Sequence, residues 1–190
     1  VLYRRDANGK EQIFLDPNTF ANDGTSSLTK LEFSKDGSRV AYAVSDAGSD
    51  WNKIEILDAE SGKPIEQPLL NIKFSEIAWL GNDGFFYSSY EKPEGSELSA
   101  KTDQHKLYYH KLGTSQKEDK VIFGQNQKRR YVSGAVTEDQ NYLVITAANS
   151  TTGNELYIKD LKNPNSSLEV IVDNFNSNNY IIDNLGSKLY

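Results

Sequence analysis

Short apolar and aromatic runs alternate with polar turn residues along the whole chain, and one unit of that pattern returns four times. It reads Leu31-Glu32-Phe33-Ser34-Lys35-Asp36-Gly37, Ile77-Ala78-Trp79-Leu80-Gly81-Asn82-Asp83-Gly84, Ala135-Val136-Thr137-Glu138-Asp139 and Ile181-Ile182-Asp183-Asn184-Leu185-Gly186. Phe33, Trp79, Val136 and Ile182 are 46, 57 and 46 residues apart, the period of a propeller blade. A second landmark falls between them, at Glu11-Gln12-Ile13-Phe14, Lys53-Ile54-Glu55-Ile56, Lys106-Leu107-Tyr108-Tyr109 and Glu155-Leu156-Tyr157-Ile158. Two interleaved landmarks with one period require a repeated unit of about four strands, so the fold expected is all-β: a propeller of four-stranded antiparallel blades, or part of one.

Val40 to Val44, Phe85 to Tyr90 and Tyr142 to Thr146 read as second strands, and the runs around Ile65–Leu70, Lys120–Phe123 and Leu168–Val172 as fourth strands. Blades are then expected over 28–70, 72–123 and 132–172, with half blades at 1–21 and 178–190. The longer middle period is assigned to Glu91–Gln104, a polar stretch with Pro93 and Gly95 that reads as an exposed loop between second and third strands. No amphipathic helix is expected. Both ends of the chain fall inside strand-like runs, so it reads as a segment of a larger protein.

Composition narrows the chemistry. There is no apolar run long enough to span a bilayer, and a net charge of −6 sets the summed field against nucleic acid; neither membrane nor nucleic acid is an expected partner. The chain has no cysteine, which excludes disulfides and thiolate chemistry. Lys128-Arg129-Arg130 lies among turn residues and reads as a solvated loop. The two histidines, His105 and His110, are an odd number of residues apart on one expected strand, so they face opposite ways and cannot share a metal. Structural or surface roles are expected for both, and no metal or cofactor is called for. No G-x-S-x-G is present and no histidine follows Ser115, so the chain carries no serine triad of the hydrolase order. Asp6-Ala7-Asn8-Gly9 reads as a hairpin turn. Gly48-Ser49-Asp50-Trp51, between second and third strands, reads on its own as a hairpin cap.

Five motifs in order change that weighting: Phe14-Leu15-Asp16-Pro17-Asn18, Phe33-Ser34-Lys35-Asp36-Gly37, Gly48-Ser49-Asp50-Trp51, Lys73-Phe74-Ser75 with Ala78-Trp79, and Lys106 through Thr114. Together they resemble the propeller domain of the prolyl oligopeptidase family, and Asp-Pro-Asn with Ser-Asp-Trp sets the chain apart from oligopeptidase B. The resemblance implies a seven-bladed parent propeller that caps an α/β-hydrolase domain, limits entry to short proline-containing peptides and itself holds none of the triad. It implies that Asp50 reaches across the domain interface to a substrate-binding arginine, for which a carboxylate is suited. Phe74 would line the pocket for the residue upstream of proline; a turn cap and a core aromatic are the bland counterparts of these two roles. Trp51, in the same motif as Asp50, joins them as a substrate-binding or interdomain residue. The family points to the cytoplasm, with the periplasm as the alternative. A stand-alone propeller that binds proteins or peptides is the competing function. Self-association is expected through residues 1–20 and 175–190.

Overall fold

The computed structural model describes residues 1–91, 102–163 and 165–190. A hairpin of β1 (Leu2–Arg5) and β2 (Glu11–Leu15) comes first. Three four-stranded sheets follow, each an antiparallel meander in chain order. The first holds β3 (Ser27–Phe33), β4 (Arg39–Ser45), β5 (Trp51–Asp58) and β6 (Leu69–Lys73). The second holds β7 (Ile77–Leu80), β8 (Gly84–Ser89), β9 (Lys106–Lys111) and β10 (Lys120–Phe123). The third holds β11 (Tyr131–Val136), β12 (Tyr142–Ala148), β13 (Glu155–Asp160) and β14 (Glu169–Val172). A short hairpin, β15 (Asn184–Leu185) and β16 (Lys188–Leu189), ends the chain.

The runs of consecutive apolar residues have a physical cause in the second strands. Side chains of a strand alternate between faces, and a strand covered on both faces needs apolar residues at every position. On β4, Ala41 and Ala43 enter the core shared with the second sheet, while Val40, Tyr42 and Val44 pack toward the first hairpin with Leu15 and Leu57. On β8, Phe85 and Tyr87 face the first sheet and Phe86 faces the third. Leu143, Ile145 and Ala147 of β12 complete the second core with Leu107, Phe123 and Val132. The sheets thus stack face to face. β3, β7 and β11 are the inner strands, joined where Trp79 Nε1 donates to the Glu32 carbonyl across 3.0 Å.

Two sequence expectations shift. The fourth strand of the first sheet is Leu69–Lys73 and not Ile65–Leu70. Pro64 and Pro68 lack the N–H a ladder needs, and Pro64 makes only an isolated bridge to Leu57. The last landmark also moves: Ile181 and Ile182 lie outside any strand, Ile182 is exposed, and the pairing begins at Asn184. Ile181 is half-buried and lines a shallow pocket with Leu156 and Ile171. Most of the expected loop Glu91–Gln104 lies outside the described residues. Asp6-Ala7-Asn8-Gly9 is the turn of the first hairpin, with Gly9 at φ 81° and the Asp6 carboxylate accepting from the backbone of Asn8 and Lys10.

Candidate functional site

Antiparallel meanders gather alternate connections at one end. Here the turn before β5, the end of β6, the end of β8, the approach to β9 and the start of β11 meet. Ala47 and Gly48, at φ 51° and 71°, bend the chain into β5. Ser49 caps that turn, its Oγ accepting from Trp51 N–H at 3.0 Å, while Ser45 Oγ donates to the Ser49 carbonyl at 2.6 Å. The Asp50 carboxylate takes no part in the cap. It points outward with 62% of its side chain exposed, 3.4 Å from Lys73 Nζ. Trp51, expected as a substrate-binding or interdomain residue, is buried in this chain, and Lys73 Nζ lies 5.2 Å from its ring centre. Trp51 is thus a platform under the Lys73–Asp50 pair.

Phe74 follows β6 in the left-handed region, at φ 55°, with 48% of its surface exposed. A bulky residue pays for that conformation, and the structure around it must impose it. Being half exposed, it is not a core aromatic. Its ring meets Tyr90 edge-on at 6.4 Å and Tyr131 at 6.0 Å, with Lys73 Nζ 5.1 Å from its centre. Arg130 lies over Tyr131 at 5.8 Å, and Tyr90 Oη donates to the Arg130 carbonyl at 2.5 Å. Beneath this aromatic group His105 is fully buried and stacked on Tyr90 at 4.4 Å. Its Nδ1 accepts from Val132 N–H at 2.9 Å, and its Nε2 lies 2.9 Å from the Lys73 carbonyl. The first contact requires a bare Nδ1, so the proton sits on Nε2 and the ring is neutral. Burial lowers its pKa to about 4, against the pull of the Lys73 carbonyl. Gly124, at φ 93°, passes so close that a Cβ there would stand 2.5 Å from the His105 carbonyl oxygen.

The basic run is not a simply solvated loop. Arg129 holds Glu155 with two hydrogen bonds of 2.6 and 2.7 Å and lies over Phe175, tying the loop to β13. Lys128 pairs with Asp103. These pairings, like those among Lys73, Tyr90, Tyr131 and His105, join residues far apart in sequence, and no local pattern announces them.

At the opposite end of the second sheet His110 is equally buried but differently held. Its Nδ1 is 2.7 Å from Asp119 and its Nε2 2.8 Å from Glu66, while Tyr87 Oη donates to Asp119 at 2.7 Å. Burial alone would lower the His110 pKa, but hydrogen bonds to Asp119 and Glu66 outweigh it and push the pKa up to about 9. The imidazole is charged. The same surroundings push the Tyr87 hydroxyl well above the usual phenol range, through burial first and Asp119 second. Among the described residues no group of three or more histidine, aspartate or glutamate side chains is placed to hold a metal. The inner strands line a groove of about 450 Å³, edged by Phe33, Glu76, Trp79 and Val136. Across its rim Lys35 pairs with Glu138 at 2.5 Å, linking the first and third sheets. Burial and the Glu76 carboxylate raise the Glu32 pKa there, against the pull of Lys30.

Comparison with known proteins bears on what this arrangement belongs to. The profile of the prolyl oligopeptidase N-terminal β-propeller domain matches residues 1–190. Prolyl endopeptidase of Elizabethkingia miricola is 58% identical over the whole chain, and that of Elizabethkingia meningoseptica 56%. The chain spans 27% of the length of each of these relatives. Among solved structures, prolyl oligopeptidase B from Galerina marginata, bound to a hydrolysis and macrocyclization substrate, superposes with a TM-score of 0.86 at 27% identity, over 97% of this chain and 28% of that one. A structure from an analysis of two prolyl endopeptidases superposes at 0.84, with 29% identity over 95% of this chain and 25% of the other. Sequence, strand order and superposition agree, and the chain belongs to the prolyl oligopeptidase N-terminal β-propeller family.

Proposed function

We propose that the chain is the access-limiting propeller of a serine endopeptidase that cleaves short peptides after proline, and that Asp50 and Phe74 are its contributions to the peptide site. The observation that carries this reading is the idle carboxylate of Asp50. Ser45 and Ser49 build the turn, so Asp50 has no structural task beyond an exposed pair with Lys73. It is free to hold a guanidinium of a facing hydrolase domain. Phe74, half exposed and backed by Tyr90 and Tyr131, offers a flat apolar face at the same end of the sheets.

In the intact peptidase, Asp50→Asn lowers kcat/KM on a proline-containing peptide by about ten- to a hundredfold, the worth of one charge-assisted contact of roughly 1.5–3 kcal/mol. The melting temperature stays near that of the wild type. A lower melting temperature with unchanged kcat/KM makes Asp50 a turn residue after all and removes it from the site.

The same reading extends to association. Tyr3 and Ile13 at one end of the array, and Tyr180, Ile182, Leu185 and Tyr190 at the other, are exposed apolar residues beside short hairpins. We propose that they recruit further copies of the chain when nothing else covers them. Sedimentation at rising concentration detects this as growth in mass; a constant monomer mass rejects it.

A further inference from the structure

The geometry points to His105 as the positioning residue that sets Phe74 at the peptide site, a role that rests on the pocket reading of Phe74. The carbonyl that His105 Nε2–H engages belongs to Lys73, so the hydrogen bond fixes the peptide plane that leads directly into Phe74. Phe74 needs such support because its φ of 55° is one that a bulky side chain avoids. The chain is held on the other side as well. Ser75 Oγ accepts from Ser88 N–H at 2.8 Å and donates to the Glu76 carbonyl at 2.6 Å. Phe74 is thus clamped between a bond from the approach to β9 and one from β8.

The other ring nitrogen gives the clamp a second anchor. Val132 N–H donates to Nδ1 from β11, next to Tyr131, whose ring closes the other side of Phe74. One neutral imidazole therefore spaces the backbone of the first sheet from that of the third, and with it sets the Phe74 ring against Tyr131 so that its exposed face is presented to a peptide side chain. Stacking on Tyr90 keeps the imidazole plane aimed at both partners. A protonated ring would set an Nδ1–H against the Val132 N–H, so only the neutral Nε2–H form serves.

The two contacts can be separated by substitution. In His105→Gln the amide nitrogen reaches where Nε2 stood and can donate to the Lys73 carbonyl. In His105→Asn the shorter side chain keeps an acceptor near Val132 but does not reach Lys73. The experiment measures kcat/KM in the intact peptidase for two proline-containing peptides that carry phenylalanine or glycine at the upstream position. His105→Asn lowers the preference for phenylalanine about three- to tenfold, mainly through KM, the loss expected for one neutral hydrogen bond. Its turnover of the glycine peptide is unchanged, and His105→Gln keeps the preference within about twofold. Equal losses for both peptides in both variants, together with a lower unfolding midpoint, would mean a purely structural histidine and overturn the proposal.

Phe74→Ala tells the two layers of the argument apart. If it leaves the preference intact, the pocket reading falls, and the positioning role is then judged by the fluorine resonance of a fluorophenylalanine placed at 74. That resonance shifts in His105→Asn and stays in His105→Gln if His105 sets the ring, and a resonance unmoved in His105→Asn overturns the role. A wild-type measurement does not depend on any variant's folding: the nitrogen spectrum of His105 shows its proton on Nε2. A proton on Nδ1 leaves the Lys73 carbonyl without its donor and overturns the proposal.

Discussion

The two ends of the second sheet solve one problem in opposite ways. Each buries a histidine completely between two sheets, five residues apart on one run of chain. At the Phe74 end the partners are backbone groups and a tyrosine ring, and His105 is neutral. At the other end the partners are two carboxylates, and His110 carries charge. A neutral ring can accept from one sheet and donate to another, so it spaces two backbones. A charged ring only donates, so it locks acids in place. The difference teaches that burial lowers the pKa of both rings and that carboxylate partners are what reverse it.

The largest effect that tests this contrast is removal of the charge. His110→Asn leaves Glu66 and Asp119 facing each other with no cation, and loss of one partner of a buried ionic group typically costs about 3–5 kcal/mol. Urea unfolding reads this as a lower midpoint. A variant as stable as the wild type would show that the carboxylates are already protonated and that the His110 end is neutral too.

Next come the pH limbs, which carry opposite signs. His110 has its folded pKa raised to about 9, so its stabilising contribution is complete below about pH 6.5 and is lost as pH rises toward 9. His105 has its folded pKa lowered to about 4, so the folded state resists its proton, and stability falls as pH drops from about 6.5 toward 4. Each limb is on the order of 3 kcal/mol by linkage. Unfolding curves across pH then show His110→Asn without the basic limb and His105→Gln without the acid limb. Both variants keeping both limbs would assign the pH dependence to other groups.

A smaller effect belongs to Arg129, which shares the His105 end. Arg129→Ala leaves the Glu155 carboxylate without its two donors at the rim of the third sheet, and a loss of about 1–3 kcal/mol is expected. Smallest is Lys73→Ala, which breaks a pair whose acid is largely exposed. It changes stability by about 1 kcal/mol or less beyond the lost packing on Trp51.

Much of the fold was legible because second strands buried on both faces leave an unbroken apolar signature: Val40–Val44, Phe85–Tyr87 and Tyr142–Ile145 announce β4, β8 and β12 without any knowledge of partners. The odd spacing of His105 and His110 rested on one shared strand, but His105 lies just before β9, and the structure sets the two at opposite ends of the second sheet. Outer strands were less legible. Leu69–Lys73 has one covered face and two prolines before it, and the apolar signal drifted toward Ile65. The site was legible only as motifs. That His105 spans Lys73 and Val132 is a fact of meeting between sheets, that Trp51 lies under Lys73 comes from the pairing of β5 with β6, and that Ser49 rather than Asp50 caps the turn is set by the turn's own geometry. Residues 27 to 32 positions apart in sequence carry no mutual periodicity.

The strict meander order has a mechanical consequence. Because every sheet pairs only sequence neighbours, tension applied along the chain loads each ladder at its last rung and peels it one hydrogen bond at a time, where a sheet pulled in shear would resist with all its rungs together. The array yields under a pull between its ends far more readily than its packed cores suggest. Resistance to such a pull falls to the side chains that cross from sheet to sheet, among them Trp79 onto Glu32, His105 between Lys73 and Val132, His110 onto Glu66 and Lys35 onto Glu138.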